Sequence, residues 1–332
     1  LQELFANALL GDILTFLGID CVEFGASDLK LAKKFFSDWG LLCKSFTASK
    51  LVFETQIGSQ IIIRPEASKL LRPKISPDSQ FREVIFGVRN VADLVAIAKE
   101  LSVDREVEQD EDGTLHTIDD SGIQIGFRVW THTLEKPQVG TIWNSPGNRR
   151  RINQVSPVYA SATPFKMGHI VFFVPDTKRA EDFYRQRLGF CLSDRYVGGA
   201  GVFLRWAQQS EHHNLFFIKS RKNDVNLHHI AFEVNDVHEM LGGGVAFSKK
   251  GWATEVGPGR HPISSAYFWY FKNPLGGAIE YFCDSDYVNA DWKPRQYRIN
   301  RFSEWHLADG IVQRDDGKIR PSLAAAQAMK AK

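Results

Sequence analysis

The sequence predicts an α+β protein of two tandem modules, each assembled from a pair of βαβββ units. Two observations carry this. The chain repeats itself: MGHIVFFVPDTKRAEDFYRQRLGF (167–190) and IDCVEFGASDLKLAKKFFSDWGLL (19–42) share one grammar of strand, turn and amphipathic helix, with Asp28/Asp176 and Phe35/Phe183 both 148 residues apart. Within each half, an alternating strand, a helix after a turn residue and several β-rich segments occur twice, in the second half at roughly 166–218 and 227–283.

The repeat keeps its register along both halves. FREVIFGVRNVADL (81–94) answers LHHIAFEVNDVHEM (227–240), with Phe86/Phe232 and Val91/Val237 146 apart, and DSGIQIGF (120–127) answers PLGGAIEY (274–281) at an offset of 154. The expected organisation is an N-terminal helix over 1–17, a first module over 18–130, a connection over 131–164, a second module over 165–284 and a tail over 285–332. The connection carries four prolines among Gly, Asn and Ser, which suits a segment wrapping the surface.

A chain of 332 residues can bury a core in each half without covalent staples. Its net charge of +2 mixes 41 basic with 39 acidic side chains, so no nucleic-acid partner is expected; the run Arg149–Arg151 reads as a solvated loop. The four cysteines, Cys21, Cys43, Cys191 and Cys283, are scattered without a CxxC pair, which favours a reducing, cytoplasmic setting. No apolar run reaches the roughly 20 residues needed to span a bilayer, so no membrane partner is expected either. The aromatic tail, with Trp292 and Trp305, points to self-association as a homo-oligomer.

Chemistry concentrates in the second half. In NLHHIAFEV, alternation puts His228, Ile230, Phe232 and Val234 on one face and His229, Ala231 and Glu233 on the other. The first set is the more apolar and is expected under the helices, leaving His229 on the concave side. His169 lies in the first strand of the preceding unit, and Glu280 sits in an apolar strand, where a carboxylate is costly unless it is paired or bound to a metal. Two imidazoles and a carboxylate form the facial triad of mononuclear non-haem iron sites; Mn(II) accepts the same donors. The matching first-half positions are Cys21, Glu83 and Gly126. All three candidate ligands therefore change while the apolar frame persists, as expected if one copy binds metal and the other supports it.

His213, His261 and Tyr270 are the acid–base candidates. His261 stands in the GPGRH loop (257–261), Tyr270 in a strand neighbouring that of Glu280, and His212 or His213 is expected to be exposed. Trp206, Phe268, Trp269 and Phe282 are candidate pocket aromatics, of which strand parity admits only some.

The motif GPGRH (257–261), the aromatic run Tyr267–Phe271 and NPLGGAIEYF (273–282) together resemble the vicinal-oxygen-chelate superfamily (glyoxalase, bleomycin resistance, dioxygenase), and within it the type I extradiol ring-cleaving dioxygenases. The resemblance covers about residues 18–284, most strongly 165–284. It implies that each module forms a half-open barrel and that the first is a metal-free copy. It further implies Fe(II), or Mn(II), on His169, His229 and Glu280, with a catechol-like diol and O2 as reactants. The proton-handling histidine of the family maps onto His213, with His212 one residue away, and His261 and Tyr270 become groups that orient the substrate oxygens. A metal-dependent lyase or isomerase of glyoxalase type, or an aromatic-binding protein without turnover, remain the alternatives on the same scaffold.

Overall fold

A computed structural model describes residues 14–132, 141–298, 301–308 and 311–313 of the chain. In the first module, β1 (Phe16–Ala26), α1 (Leu29–Trp39), β2 (Leu42–Phe46), β3 (Leu51–Glu54) and β4 (Gln60–Pro65) make one unit. The second unit comprises β5 (Phe81–Val88), α2 (Val91–Leu101), β6 (Glu108–Gln109), β7 (Leu115–Ile118) and β8 (Gln124–Val129). The second module repeats them: β9 (Lys166–Val174), α3 (Thr177–Asp182, continued by a π-helical turn over Phe183–Arg187), β10 (Cys191–Tyr196), β11 (Gly201–Arg205) and β12 (Leu215–Lys219); then β13 (Asn226–Glu233), α4 (Val237–Lys249), β14 (Thr254–Arg260), β15 (Tyr267–Lys272) and β16 (Ala278–Cys283). From the tail come β17 (Arg295–Tyr297), β18 (Trp305–Ala308) and β19 (Ile311–Gln313).

Each unit starts its helix the same way. Asp28 caps α1 by accepting from the amides of Lys30 and Leu31, and Asp176 caps α3 by accepting from Lys178 and Arg179. Asn90 and Asp236 cap α2 and α4 through the amides of Asp93 and Glu239. A short polar side chain that satisfies amides left free by the first turn explains why this position recurs in the repeat.

The first sheet runs β2-β3-β4-β1-β5-β8-β7-β6, and the second has the same order, β10-β11-β12-β9-β13-β16-β15-β14, extended by β17 at one edge and β18-β19 at the other. In both, the first strands of the two units pair antiparallel (β1 with β5, β9 with β13), while each pairs in parallel with the last strand of its own unit. The two curved sheets turn one face toward the helices and leave the other concave.

The helix-side faces merge into one core. It contains Phe35, Trp39, Phe86 and Phe127 from the first module and Phe172, Phe232, Phe247 and Tyr281 from the second. Trp39 stacks on Tyr281 with ring centroids 3.5 Å apart, and the Tyr281 hydroxyl donates to the Trp39 carbonyl at 2.5 Å. α1 ends at Gly40, in the left-handed region at φ 101°, where a Cβ would fall 2.0 Å from the Ala162 carbonyl oxygen. Only glycine serves there.

Three sequence expectations meet the structure here. Leu1–Ile13 of the expected N-terminal helix lie outside the described residues, but its last part is strand: β1 begins at Phe16, which pairs with Val88. Leu14 and Phe16 are buried, and pairing on an apolar sheet overrides their helix propensity. In the connection, 133–140 lie outside the described residues; beyond them the chain runs over the start of α4, with Thr141 and Thr163 donating amides to Asp236 and Glu239. Residues 314–332 of the expected tail also lie outside. All four cysteines are free thiols, and among the described residues no helix is long and apolar enough to cross a membrane.

Candidate metal centre

Strand register builds the centre. Ala231 in β13 stands opposite His169 in β9 and, across its other edge, opposite Glu280 in β16. Directly opposed residues share a sheet face, and so does His229, two residues before Ala231. Three candidate ligand side chains therefore surround a fully buried alanine whose methyl group leaves the space above it free. Donor atoms of His169, His229 and Glu280 all lie within 4.8 Å of one another, and all three residues are buried. Gly168 lets the Phe282 ring close on this strand, since a Cβ there would sit 2.3 Å from it. Phe282 in turn packs at 4.9 Å against the His169 ring.

His169 Nε2 lies 3.2 Å from Glu280 Oε2, and His229 Nε2 lies 3.1 Å from the same oxygen. Yet His229 Nε2 and Glu280 Oε1 have no hydrogen-bond partner. Buried polar atoms left unpaired are costly, and a cation accepting both would remove that cost; the donor set thus fits a divalent ion. Burial alone would raise the Glu280 carboxyl, but the imidazoles of His169, His229 and His261 gathered around it outweigh that and hold the group well below the usual carboxylate range. Burial depresses His229 to about 4 against the pull of Glu280, so the imidazole is neutral and its lone pair available.

His228 departs from the alternation. A register shift between Val171 and Phe172 interrupts the β9–β13 ladder opposite it, and Leu227 instead enters the core. His228 thus lines the concave cavity rather than packing under the helices, with its Nδ1 2.6 Å from His229 Nδ1. Burial, with His229 adding to it, pushes His228 down to about 3. As a neutral acceptor it can receive a hydrogen bond from His229 Nδ1–H and so fix which nitrogen of that ring faces the centre.

The other candidates converge on the same place. The Tyr270 hydroxyl is 3.1 Å from His261 Nε2, and His261 Nδ1 donates to the Phe302 carbonyl at 2.5 Å. With Nδ1 so committed, a neutral His261 offers its Nε2 lone pair to the Tyr270 hydroxyl. His261 Nε2 also lies 3.8 Å from Glu280 Oε1. Tyr270 is opposite Glu280 in the β15–β16 ladder, and burial followed by the Glu280 charge raises its hydroxyl well above the usual tyrosine range. The His213 ring centre is 4.3 Å from that of His169.

His212 and His213 are buried, against the expected exposure. Asp194 in β10 accepts from His212 Nε2 at 2.9 Å, and His212 Nδ1 lies 3.3 Å from His213 Nδ1. With Nε2 committed to Asp194, His212 Nδ1 is the acceptor for His213 Nδ1, which leaves the lone pair of His213 on Nε2. Burial, reinforced by His169 and His212, holds His213 well below the usual histidine range. Asp194 also accepts the Arg295 amide at 2.6 Å, so the tail closes over this pair. Sequence reasoning missed Asp194 because its partner lies 18 residues away on another strand turn.

The group opens onto a cavity of about 930 Å3. Its apolar wall includes Phe173, Tyr196, Phe203, Phe216, Ile263 and Phe302. None of Trp206, Phe268, Trp269 and Phe282 lines it. Phe268 stacks behind His261 with centroids 4.1 Å apart, Phe282 backs His169, Trp206 packs on the core, and Trp269 covers Gly244 of α4.

Residues 166–281, almost the whole of this module, match the Glyoxalase/Bleomycin resistance protein/Dioxygenase superfamily. The chain is also 39% identical to metapyrocatechase 2 of Cupriavidus necator over 127 residues, 38% of the chain and 39% of the relative. It is 24% identical to the manganese-dependent 2,3-dihydroxybiphenyl 1,2-dioxygenase of Geobacillus genomosp. 3 over 193 residues, 56% of the chain and 58% of the relative. It thus spans less than two thirds of the length of either. Among solved structures, the Mn(II)-bound glyoxalase from Novosphingobium aromaticivorans superposes with a TM-score of 0.69 at 20% identity, over 91% of this chain and 93% of that one. The fold of that structure thus extends over both modules, and the candidate centre lies within the residues that match the superfamily.

Proposed function

We propose that the protein is an extradiol dioxygenase, opening a catechol-like ring beside its diol with O2 at Fe(II) held by His169, His229 and Glu280. The observation that carries the reading is the grouping of that triad with His213, His261 and Tyr270 at the base of one aromatic-walled cavity. The likeness to metapyrocatechase 2 over 127 residues agrees with it. A lyase or isomerase has no evident use for three further proton-handling groups around the metal.

A divalent ion bound at the triad supplies Lewis acidity toward a substrate hydroxyl and redox chemistry toward O2. The rest falls to the chain. Phe203 and Phe216, stacked at 3.8 Å, supply a flat wall for a ring and exclude water from it. Tyr270 and His261, hydrogen-bonded to each other, orient a substrate oxygen. His213, with Nε2 as acceptor, takes a proton from the diol and returns it to the product. Each positioned acid–base group contributes on the order of 10²–10⁴-fold.

An oxygen electrode tests this. Protein loaded anaerobically with Fe(II) should consume O2 equimolar with an added mono- or bicyclic diol and yield a ring-opened acid. The same measurement after Mn(II) loading decides between the two ions. Binding of diols without O2 uptake under either ion would overturn the dioxygenase reading in favour of sequestration.

A further inference from the structure

The cavity changes character from base to mouth. Its interior is aromatic, but its rim carries Lys219, Arg221, Lys222 and Arg301. Those four cations are exposed, and among the described residues none has a carboxylate within salt-bridge distance. The one acidic residue of the lining, Asp224, is tied down, because it accepts from the Ser220 hydroxyl, which in turn accepts the amides of Lys222 and Asp224. That small turn, closed by Asn223 in the left-handed region at φ 58°, holds Arg221 and Lys222 at the rim. Arg301 reaches the mouth from the tail, a separate segment adjoining Phe302, which lines the cavity and anchors His261. Two independent stretches thus place like charge around one opening.

Like charges gathered without counter-charges repel, and an anion between them removes that cost. The volume points the same way. At about 930 Å3 the cavity lies near the upper end of the roughly 300–1,000 Å3 usual for small-molecule sites, well beyond what a single benzenediol ring fills. We propose that the substrate is an aromatic diol with an apolar extension that ends in an anionic group of carboxylate type. The diol sits at the metal centre, the extension lies along the Phe173 and Phe216 side of the wall, and the anion is received by Lys219, Arg221, Lys222 and Arg301. This rests on the dioxygenase reading for the orientation of the diol, while the charge preference stands on the rim alone.

The test uses a matched pair of probes, a biaryl 2,3-diol with a carboxylate on its far ring and the corresponding carboxamide, offered to full-length metal-loaded protein. Affinity is measured anaerobically by calorimetry and turnover by O2 uptake. Exposed pairs contribute about 1.5- to 5-fold each, so the rim should favour the carboxylate by on the order of tenfold in affinity at low salt, with the preference shrinking as salt rises. In turnover it should appear in KM more than in kcat. In the triple variant Arg221→Ala/Lys222→Ala/Arg301→Ala the carboxylate-to-carboxamide ratio should fall toward one. Arg221→Glu alone should lower it as well, which guards against a triple variant that folds poorly. Equal affinity for the two probes, or a preference that survives these substitutions, would overturn the proposal. A carboxylate preference in binding without O2 uptake would uphold the anion site and count against the dioxygenase reading.

Discussion

The two modules share strand order, helix caps and register, yet their concave faces have opposite contents. Across β9, β13 and β16 stand His169, Ala231 and Glu280; across β1, β5 and β8 the same register places Cys21, Ile85 and Gly126. Glu83 takes the place of His229, and His116, opposite Gly126, that of Tyr270. In the first module Cys21 and Ile85 pack with Val52 and Ile62 into a small apolar cluster. Glu83 is paired with His116 Nδ1 at 2.8 Å, and a Cβ on Gly126 would fall 2.9 Å from the Leu115 carbonyl oxygen. The scaffold therefore sets where three ligands can meet, while the residue between them decides whether space remains. Isoleucine closes the face; alanine leaves it open.

The largest effect should come from the candidate ligands. Glu280→Ala and His229→Ala should lose bound metal to background, read by elemental analysis, along with all activity, whereas Cys21→Ala, at the His169 position of the first module, should keep the wild-type metal ratio. Full stoichiometric metal in Glu280→Ala would remove the triad from consideration. Next come the groups around it. His261→Ala or Tyr270→Phe should retain metal and slow kcat by about 10²–10⁴-fold; loss of metal in either would make that residue part of the ion's support. Ala231→Ile then imposes the first module's residue on the second. Overpacking of this kind costs typically about 1–3 kcal/mol, so the unfolding midpoint should drop and metal binding should fail together. A variant that kept both would show that the size of this residue does not separate the modules.

Much of this was legible in the sequence, because comparing the halves pairs the same positions that the register pairs. The ligand positions could be compared since the apolar frame around Cys21, Glu83 and Gly126 survives intact. His228 was misplaced because the irregularity opposite it, between Val171 and Phe172, belongs to the partner strand. The expectation that His212 or His213 is exposed failed because what buries His212, Asp194 and the Trp292 ring, comes from β10 and the tail. Phe203 and Phe216 were missed for another reason: Val202-Phe203-Leu204 and Leu215-Phe216-Phe217 are apolar throughout, so alternation shows no contrast between core and cavity. Part of the tail's contribution was invisible, since a carbonyl such as that of Phe302 is carried by every residue type and an amide such as that of Arg295 by every type but proline.

The smallest predicted effect lies where the modules touch. The turn before β8 is led by Asp119, which accepts the Ser121 and Ile123 amides; the matching turn before β16 is led by Asn273, which accepts the Leu275 amide. Asp119 also accepts from the Tyr184 hydroxyl of the second module at 3.1 Å. Burial raises its carboxyl from an ordinary 3.8 to about 6, the amide and tyrosine hydrogen bonds opposing. A carboxyl raised on folding binds its proton more tightly in the native state, so its contribution to stability is greatest below about pH 4. That contribution is lost as the pH climbs to about 6, and the penalty is complete above it. Two units correspond to roughly 1–3 kcal/mol. Asp119→Asn gives the first module the second module's residue and removes the titration. Its unfolding free energy relative to wild type should therefore rise by about that amount between pH 4 and 7, measured by denaturant unfolding across the range. Parallel stability curves for the two proteins would mean that Asp119 folds without this penalty, and that the difference between the two turns has no electrostatic consequence.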